Sequence, residues 1–166
     1  MTHGATVEDL FALAIQAEET AAEFYRGLVR KFSYESEIAD FWQRYVLDEV
    51  AHALWLERLR GNLSAERLAE PVDGEMLASA HRALSISVEN VLSGIHTLED
   101  AYEVVSDLEN SETNAVFEFL ITNFPYDREV LNFLRVQLND HVNRLIAAFP
   151  PRFRDPDVRH AVTARG

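Results

Sequence analysis

The sequence predicts an all-α protein, a four-helix bundle with a long connection between its second and third helices. Proline is absent from residues 1–70 and 72–124, so most of the chain can be helical without interruption. In four segments the apolar residues recur at steps of three and four, which is the spacing of one helix face. No segment shows the strict alternation of a half-buried strand convincingly.

The first two predicted helices span about residues 7–32 and 35–60, and a break that begins at Ser33 separates them. Gly61 is a natural end for the second helix. Both helices have an apolar inner face, formed by Leu10, Phe11, Ala14, Ala17, Ala21, Phe24, Tyr25, Leu28 and Phe32 in the first and by Ile38, Phe41, Trp42, Tyr45, Leu56 and Leu59 in the second.

Residues 61–97 form the predicted connection. Pro71 and Gly74 mark a turn, residues 64–68 fit a short helix, and a longer helical piece is expected over about residues 75–92. This stretch must carry the chain back along the bundle, because helices joined by a short loop would be antiparallel neighbours.

The third and fourth helices are predicted over about residues 98–122 and 125–149. Thr97 and Asp100 resemble a capping box at the start of the third, and Pro125 suits the first turn of the fourth. We therefore expect one bundle domain over residues 1–149 and an extended or disordered C-terminal tail over residues 150–166.

Composition excludes several function classes. The chain has 15 Lys and Arg against 28 Asp and Glu, a formal net charge of −13, which makes nucleic acid and membrane poor partners. It has no cysteine, so disulfides, cysteine-ligated zinc and a catalytic thiol are excluded. The first ten residues lack the features of a signal peptide and no long apolar run is present, so a soluble cytoplasmic protein is expected.

Six acidic or imidazole side chains interrupt the predicted apolar faces. An ionised carboxylate in a dry interior is costly unless something pairs with it, and these faces offer no lysine or arginine. Either some of the carboxylates are protonated through raised pKa values, or a cation lies among them. Carboxylate and imidazole ligands together suit iron or manganese, and also zinc. The six residues are Glu18, Glu49, His52, Glu109, Glu112 and His141.

The spacing of these residues strengthens the metal-binding interpretation. Glu49 and His52 form a Glu-x-x-His motif, which places two ligands one turn apart on the same helix face. Glu18 precedes His52 by 34 residues and Glu109 precedes His141 by 32, so the two helix pairs carry their polar residues at nearly equal offsets. This pattern indicates an internal pseudo-repeat.

At these positions the sequence resembles the rubrerythrin branch of the ferritin-like superfamily, in which four helices hold a carboxylate-bridged pair of metal ions. The resemblance covers roughly residues 7–60 and 98–148. It is carried by Glu18 with Ala21 and Tyr25, by Glu49 with His52, by the Glu-x-x-Glu pair Glu109 and Glu112, and by His141.

The resemblance implies a ferritin-like bundle with a non-haem di-iron centre, manganese or zinc being alternatives. Glu49 would bridge the two metals, with Glu18 and His52 on one of them. Glu109 and His141 would bind the other, and Glu112 would move between bound and unbound states. All six residues would then be catalytic, reducing hydrogen peroxide to water or reacting with dioxygen. The resemblance also implies a homodimer and an external electron donor.

Two departures from the family pattern affect these expectations. Leu138 stands where the family has a metal-bridging carboxylate, and Gln137 is a neutral, weaker substitute. One metal is then expected to bind more weakly, or the site to hold a single ion. The lack of cysteine also excludes a rubredoxin-like module within this chain, so electrons would come from another protein or a small reductant.

Two alternative functions are also compatible with the sequence. The first is iron handling, in which a ferroxidase centre serves storage or delivery in a larger assembly. The second is a redox-silent scaffold that holds a single zinc or manganese ion because Leu138 has disabled the pair.

Neighbouring polar residues receive more ordinary interpretations. Tyr25, Tyr45 and Tyr102 are expected to pack in the core with satisfied hydroxyls, hydrogen bonding to the ligands or a redox role being the alternatives. Asp48 is expected to lie outside the metal ligands. The residues expected on a solvated face of the third helix are Glu99, Glu103 and Asp107, and the histidines given no role are His3, His81, His96 and His160.

Overall fold

The computed structural model describes residues 4–85, 87–109 and eleven positions near the C-terminus: Asn132, Val136, Asp140, His141, 143–147, Phe149 and Pro150. Its helices are α1 (Val7–Lys31), α2 (Ser36–Gly61), α3 (Ala65–Leu68), α4 (Gly74–Leu84), α5 (Val88–Ser93) and α6 (Leu98–Glu109). The described residues from Asn132 to Ala147 are also helical, and we call them the C-terminal helical positions.

The described residues form an all-α structure, which confirms the predicted class. They include an isolated β-bridge between Thr6 and Pro71, with the Val72 amide donating to the Ala5 carbonyl at 2.9 Å. This bridge ties the loop after α3 to the start of α1. In the parts of the chain that the structure describes, no helix combines the length and the apolar character needed to cross a membrane.

Helices α1 and α2 form the long central pair. A capping box starts α1, because the Thr6 side chain accepts from the Asp9 amide while the Asp9 carboxylate accepts from the Thr6 amide. Arg60, at the end of α2, lies 3.7 Å from Glu8, at the start of α1, so the two helices run antiparallel. The expected bounds of both helices are confirmed to within one residue.

Two hydrophobic clusters lie along this pair and leave a gap between them. One joins the first half of α1, up to Ile15, to the second half of α2, from Ala53 onward. The other is rich in aromatic side chains and includes Phe24 on α1 and Val46 on α2, together with residues of α6. The polar residues singled out in the sequence lie along both helices between these clusters.

The connection differs from the prediction. A single helical piece over about residues 75–92 is wrong, because α4 ends at Leu84 and α5 begins at Val88. The reason is local: the Ser85 hydroxyl donates back to the Arg82 carbonyl, and the Ser87 hydroxyl accepts from the Asn90 amide as an N-cap. The short helix α3 agrees with the prediction for that segment.

Helix α5 packs closely against α1 at a glycine. A Cβ atom on Gly27 would lie 2.2 Å from the Cδ1 atom of Leu92, which is closer than real Cβ contacts come. The absence of a side chain at Gly27 therefore permits this approach of the two helices.

The start of α6 agrees with the expected capping box. The Asp100 carboxylate accepts from the Thr97 amide at 2.8 Å, and the Thr97 hydroxyl accepts from the Asp100 amide at 3.1 Å. The predicted end of this helix near residue 122, the start of the fourth at Pro125 and the tail over residues 151–166 lie outside the described residues.

Candidate metal centre

Five acidic or imidazole side chains are buried within the described core. None of them is more than 7% exposed, which confirms that these positions face inward. They are Glu18, Glu49, His52, Glu109 and His141. Glu112, Gln137 and Leu138 lie outside the described residues.

Helix periodicity places each of these groups on the buried face of its own element. Glu18 lies in the middle of α1, and Glu49 and His52 lie one turn apart in the middle of α2. Glu109 continues the buried face of α6 four residues after Val105. His141 adds the fourth element from the C-terminal helical positions.

The first half of the site is centred on His52. Its Nδ1 atom lies 3.3 Å from Oε2 of Glu18 and 3.2 Å from Oε2 of Glu49. One imidazole nitrogen therefore faces carboxylates from both α1 and α2.

The second half repeats this arrangement around His141. Its Nδ1 atom lies 3.4 Å from Oε1 of Glu49 and 3.2 Å from Oε2 of Glu109. The two imidazole rings are 5.0 Å apart between centroids. Glu49 thus lies between the histidines, with each of its oxygens facing a different ring.

Two tyrosine hydroxyls support this second half. Tyr25 donates a hydrogen bond to Oε1 of Glu109, and Tyr45 donates to the backbone carbonyl of His141 at 2.7 Å. Their rings also pack against each other, 4.9 Å apart between centroids. Both tyrosines are thus core residues with satisfied hydroxyls, as expected, and one of them bonds a candidate ligand directly.

Asp48 and Arg144 are neighbours of the site that the sequence analysis did not place there. Oδ2 of Asp48 lies 3.4 Å from Nε2 of His141 and also accepts from Nη1 of Arg144. The Arg144 guanidinium lies 5.6 Å from the centre of the Tyr45 ring, and its side chain is 21% exposed. An arginine therefore does reach the edge of the site, contrary to expectation, but it pairs with Asp48.

The carboxylates Glu18 and Glu49 have opposite pKa shifts. Burial, together with the charge of Glu49, raises the pKa of Glu18 to about 8. Burial also acts to raise the pKa of Glu49, but hydrogen bonds from His141 and His52 outweigh it and lower that pKa well below its ordinary value. Glu18 therefore carries a proton near neutral pH while Glu49 is ionised.

The two imidazoles bind protons tightly when no metal is present. Burial lowers the pKa of each ring, but hydrogen bonds to the surrounding carboxylates raise it more, to about 9 for His52 and about 12 for His141. The metal-free cluster is thus held together by protons on Glu18, His52 and His141. A cation at this place would have to displace protons from the histidines.

The residues present fit a metal ion. One ligand atom from each of Glu49, His52 and His141 lies within 4.8 Å of the other two. The nitrogen–oxygen separations of 3.2 to 3.4 Å match two ligands that are each about 2.1 Å from one ion. Nitrogen and carboxylate donors suit iron, manganese or zinc.

This cluster does not include the other polar residues named for the third predicted helix. It also does not include the other described histidines. Glu103 and Asp107 are exposed as expected, whereas Glu99 is half-buried, so its predicted solvated position is wrong. His81 and His96 are exposed, and His3 and His160 lie outside the described residues. Tyr102 is half-buried and packs edge-on against Phe149.

Comparison with known proteins gives no relative. No family model matches the sequence, and neither a curated protein nor a solved structure matches the chain. A function is therefore inferred from the chemistry of the buried site.

Proposed function

We propose that this protein is a rubrerythrin-like non-haem di-iron oxidoreductase, folded as a ferritin-like four-helix bundle, that reduces hydrogen peroxide. The observation that carries the proposal is the position of Glu49. Each of its two oxygens faces Nδ1 of a different histidine, and each histidine has a second carboxylate beside it.

This arrangement would provide two ligand sets that share one residue. Glu18 and His52 would hold one metal ion, Glu109 and His141 the other, and Glu49 would bridge them. Three carboxylates balance most of the charge of two divalent cations. Glu112 would add a fourth from outside the described residues, and Leu138 at the family's bridging position would leave a coordination position open for peroxide.

Ferrous ions bound here would supply the two electrons that, with two protons, convert one peroxide molecule to two waters. The protein contributes orientation and a dry environment. Tyr25 holds the Glu109 carboxylate, and Tyr45 holds the backbone at His141. The aromatic cluster around both tyrosines excludes water from one side of the site.

Anaerobic loading with ferrous iron, followed by metal counting and an optical spectrum on adding peroxide, tests the proposal. We expect two irons per chain and rapid formation of a coloured ferric species. One metal or none, with no peroxide-dependent change, would contradict the proposal and favour the redox-silent scaffold. Rapid oxidation by dioxygen without peroxide turnover in the presence of a reductant would favour iron handling.

A matched pair of variants ties the result to the site. Glu49→Gln keeps the side-chain volume but removes the negative charge that the two metal ions would share. The number of iron ions bound per chain should therefore fall from two to at most one. Glu103→Gln makes the same change on an exposed position of α6 and should leave the count at two. Equal iron counts for the two variants would contradict the ligand assignment.

A further inference from the structure

An array of aromatic rings extends from the candidate metal centre towards the surface. Tyr25, whose hydroxyl donates to Glu109, stacks on Trp42 with 6.1 Å between the ring centroids and 20° between the ring planes. Trp42 in turn lies 6.0 Å from Phe149, and Phe149 lies 6.0 Å from Tyr102. Neighbouring rings therefore connect a candidate ligand to Tyr102.

The two ends of the array differ in exposure. The three inner rings, Tyr25, Trp42 and Phe149, are at most 2% exposed. Tyr102 is half-buried. An electron donor in solution can therefore reach the array at Tyr102.

The indole of Trp42 has an unusual hydrogen-bonding state. A buried tryptophan N–H usually has a partner, but Nε1 of Trp42 has none in the part of the chain that the structure describes. An oxidised tryptophan normally releases the proton on this nitrogen. Because no described group accepts it here, the oxidised ring stays a cation. A buried cation is costly, so it readily takes an electron from a nearby tyrosine.

The tyrosines at the two ends of the array can give up an electron because their protons can be accepted. Glu109 accepts the proton of Tyr25 through the existing hydrogen bond, and water accepts that of Tyr102. Tyr45 also borders the array, but its hydroxyl donates to the backbone carbonyl of His141, which is not a base. Tyr45 is therefore not expected to be oxidised.

We propose that Tyr25, Trp42 and Tyr102 form a relay that carries single electrons from the protein surface to the candidate metal centre. Its use in the reaction rests on the proposed function. Peroxide takes up two electrons, but a site that Leu138 has weakened to one ferrous ion supplies one. Tyr25 supplies the other. One peroxide, one ferrous ion, one tyrosine and one proton from solvent then give one ferric ion, one tyrosyl radical and two waters.

The relay then restores Tyr25. Trp42 gives an electron to the oxidised Tyr25, which regains a proton through Glu109. Tyr102 gives an electron to the Trp42 cation and its proton to water. A thiol or ascorbate in solution donates one hydrogen atom to the oxidised Tyr102. The oxidising equivalent thereby leaves the core of the protein.

Electron transfer along the relay is tested on the metal-free chain, so this result does not depend on the proposed function. The chain has two tryptophans, and a Trp55→Phe background leaves only Trp42. A laser flash at a wavelength that tyrosine does not absorb ejects an electron from Trp42, and a cobalt(III) ammine complex in solution captures it. We expect the optical band of oxidised Trp42 to decay while that of a tyrosyl radical grows.

Tyrosine variants in the same background identify the electron donors. The double variant Tyr25→Phe/Tyr102→Phe should lose the tyrosyl radical, although Tyr45 still lies 5.8 Å from Trp42 between ring centroids. Tyr34→Phe, at a tyrosine that is 38% exposed, should keep it. Decay of oxidised Trp42 without a tyrosyl radical would overturn the proposal, and so would a tyrosyl radical in the double variant.

The use of the relay at the site is tested with one ferrous ion per chain. The loaded protein is mixed with peroxide, frozen within milliseconds and examined by electron paramagnetic resonance. We expect a tyrosyl radical that is lost in Tyr25→Phe. The radical should live longer in Trp42→Phe and in Tyr102→Phe, because both interrupt the relay.

Tyr34→Phe is again the control and should leave the radical unchanged. Iron that is oxidised without a tyrosyl radical would overturn the role of the relay in peroxide reduction. A chain that binds no iron would contradict the proposed function, and the flash experiment alone would then decide whether the relay exists. Circular dichroism of each variant shows whether its helix content is that of the original chain.

Discussion

At the scale of single residues, Glu49 is the centre of the site. It accepts from both histidines, and this outweighs the burial that would otherwise raise its pKa. The sequence identifies Glu49 and His52 as a pair through their spacing. The position of Glu49 between His52 and His141, however, depends on how α2 and the C-terminal helical positions pack together.

Asp48 offers a test of how the protein orients His141. Replacing Asp48 with alanine removes the carboxylate that lies 3.4 Å from Nε2 of His141 and leaves Arg144 without that partner. Loss of such a contact behind a metal-binding histidine costs about 10- to 100-fold in metal affinity. Competition titration with a metal-binding dye should show this loss, while Asp107→Ala should keep the original affinity.

At the scale of elements, the structure depends on the fit between α1 and α5. The two helices meet at Gly27, where Leu92 occupies the space that a side chain would need. The sequence shows Gly27 as an ordinary interruption of an amphipathic helix. The reason for a glycine at this position becomes clear only from the packing of α5 against α1, where Leu92 fills the space beside Gly27.

Gly27→Ala should lower the free energy of unfolding by about 1 kcal/mol. Overpacking costs ~1–3 kcal/mol, and the better helix propensity of alanine returns ~1 kcal/mol. Chemical denaturation measures the net change. In a Leu92→Ala background the same substitution should stabilise the protein, since the space is then free.

Gly61→Ala is the control for this prediction, because a Cβ atom there meets nothing within 4 Å. It should be neutral or stabilising. If Gly27→Ala also stabilises the original chain, the Leu92 side chain moves aside at little cost, and Gly27 does not limit the packing of α5 on α1.

At the scale of the whole molecule, the site links folding to proton binding. Glu18 and His52 have raised pKa values of about 8 and about 9 in the folded protein, compared with ordinary values of 4.5 and 6.5. A raised pKa stabilises the fold below the ordinary value, and this stabilisation is lost as the pH rises through the folded value. Glu49 has the opposite shift and contributes above its ordinary value of 4.5.

The free energy of unfolding of the metal-free protein should therefore fall between about pH 5 and pH 9, and it should continue to fall above pH 9 because His141 keeps its proton up to about pH 12. Urea denaturation across this range measures the slope. Glu18→Gln should flatten the lower part of this pH dependence, because a glutamine at position 18 has no proton to lose. A metal-free protein whose stability rises over this range would contradict the proton network described for the site.

Ferrous iron or manganese should raise the melting temperature, because the proposed metal site is assembled only in the folded chain. The gain reaches ~2.7 kcal/mol when the free metal is about 100 times Kd. Glu49→Ala should abolish most of this rise, while Glu103→Ala should leave it nearly intact, as differential scanning calorimetry would show. Equal effects of the two substitutions would mean that Glu49 does not bind the metal.

Much of the secondary structure and the burial of the site was predictable from local patterns. Glu18, Glu49 and His52 were found because a polar residue in register with an apolar face must be buried when that face packs. The break between α4 and α5 was missed, because serine side chains there compete for backbone hydrogen bonds within an otherwise helical pattern.

The sequence by itself determined the all-α class, the faces of the helices and the identity of the buried polar groups. These follow from a period of 3.6 residues, which is a local property of the chain. The tertiary structure alone decided that Glu49 lies between two histidines and that Asp48 pairs with Arg144, which is 96 residues away. Such contacts depend on the rotation and axial position of one helix against another, and no local pattern encodes these two quantities.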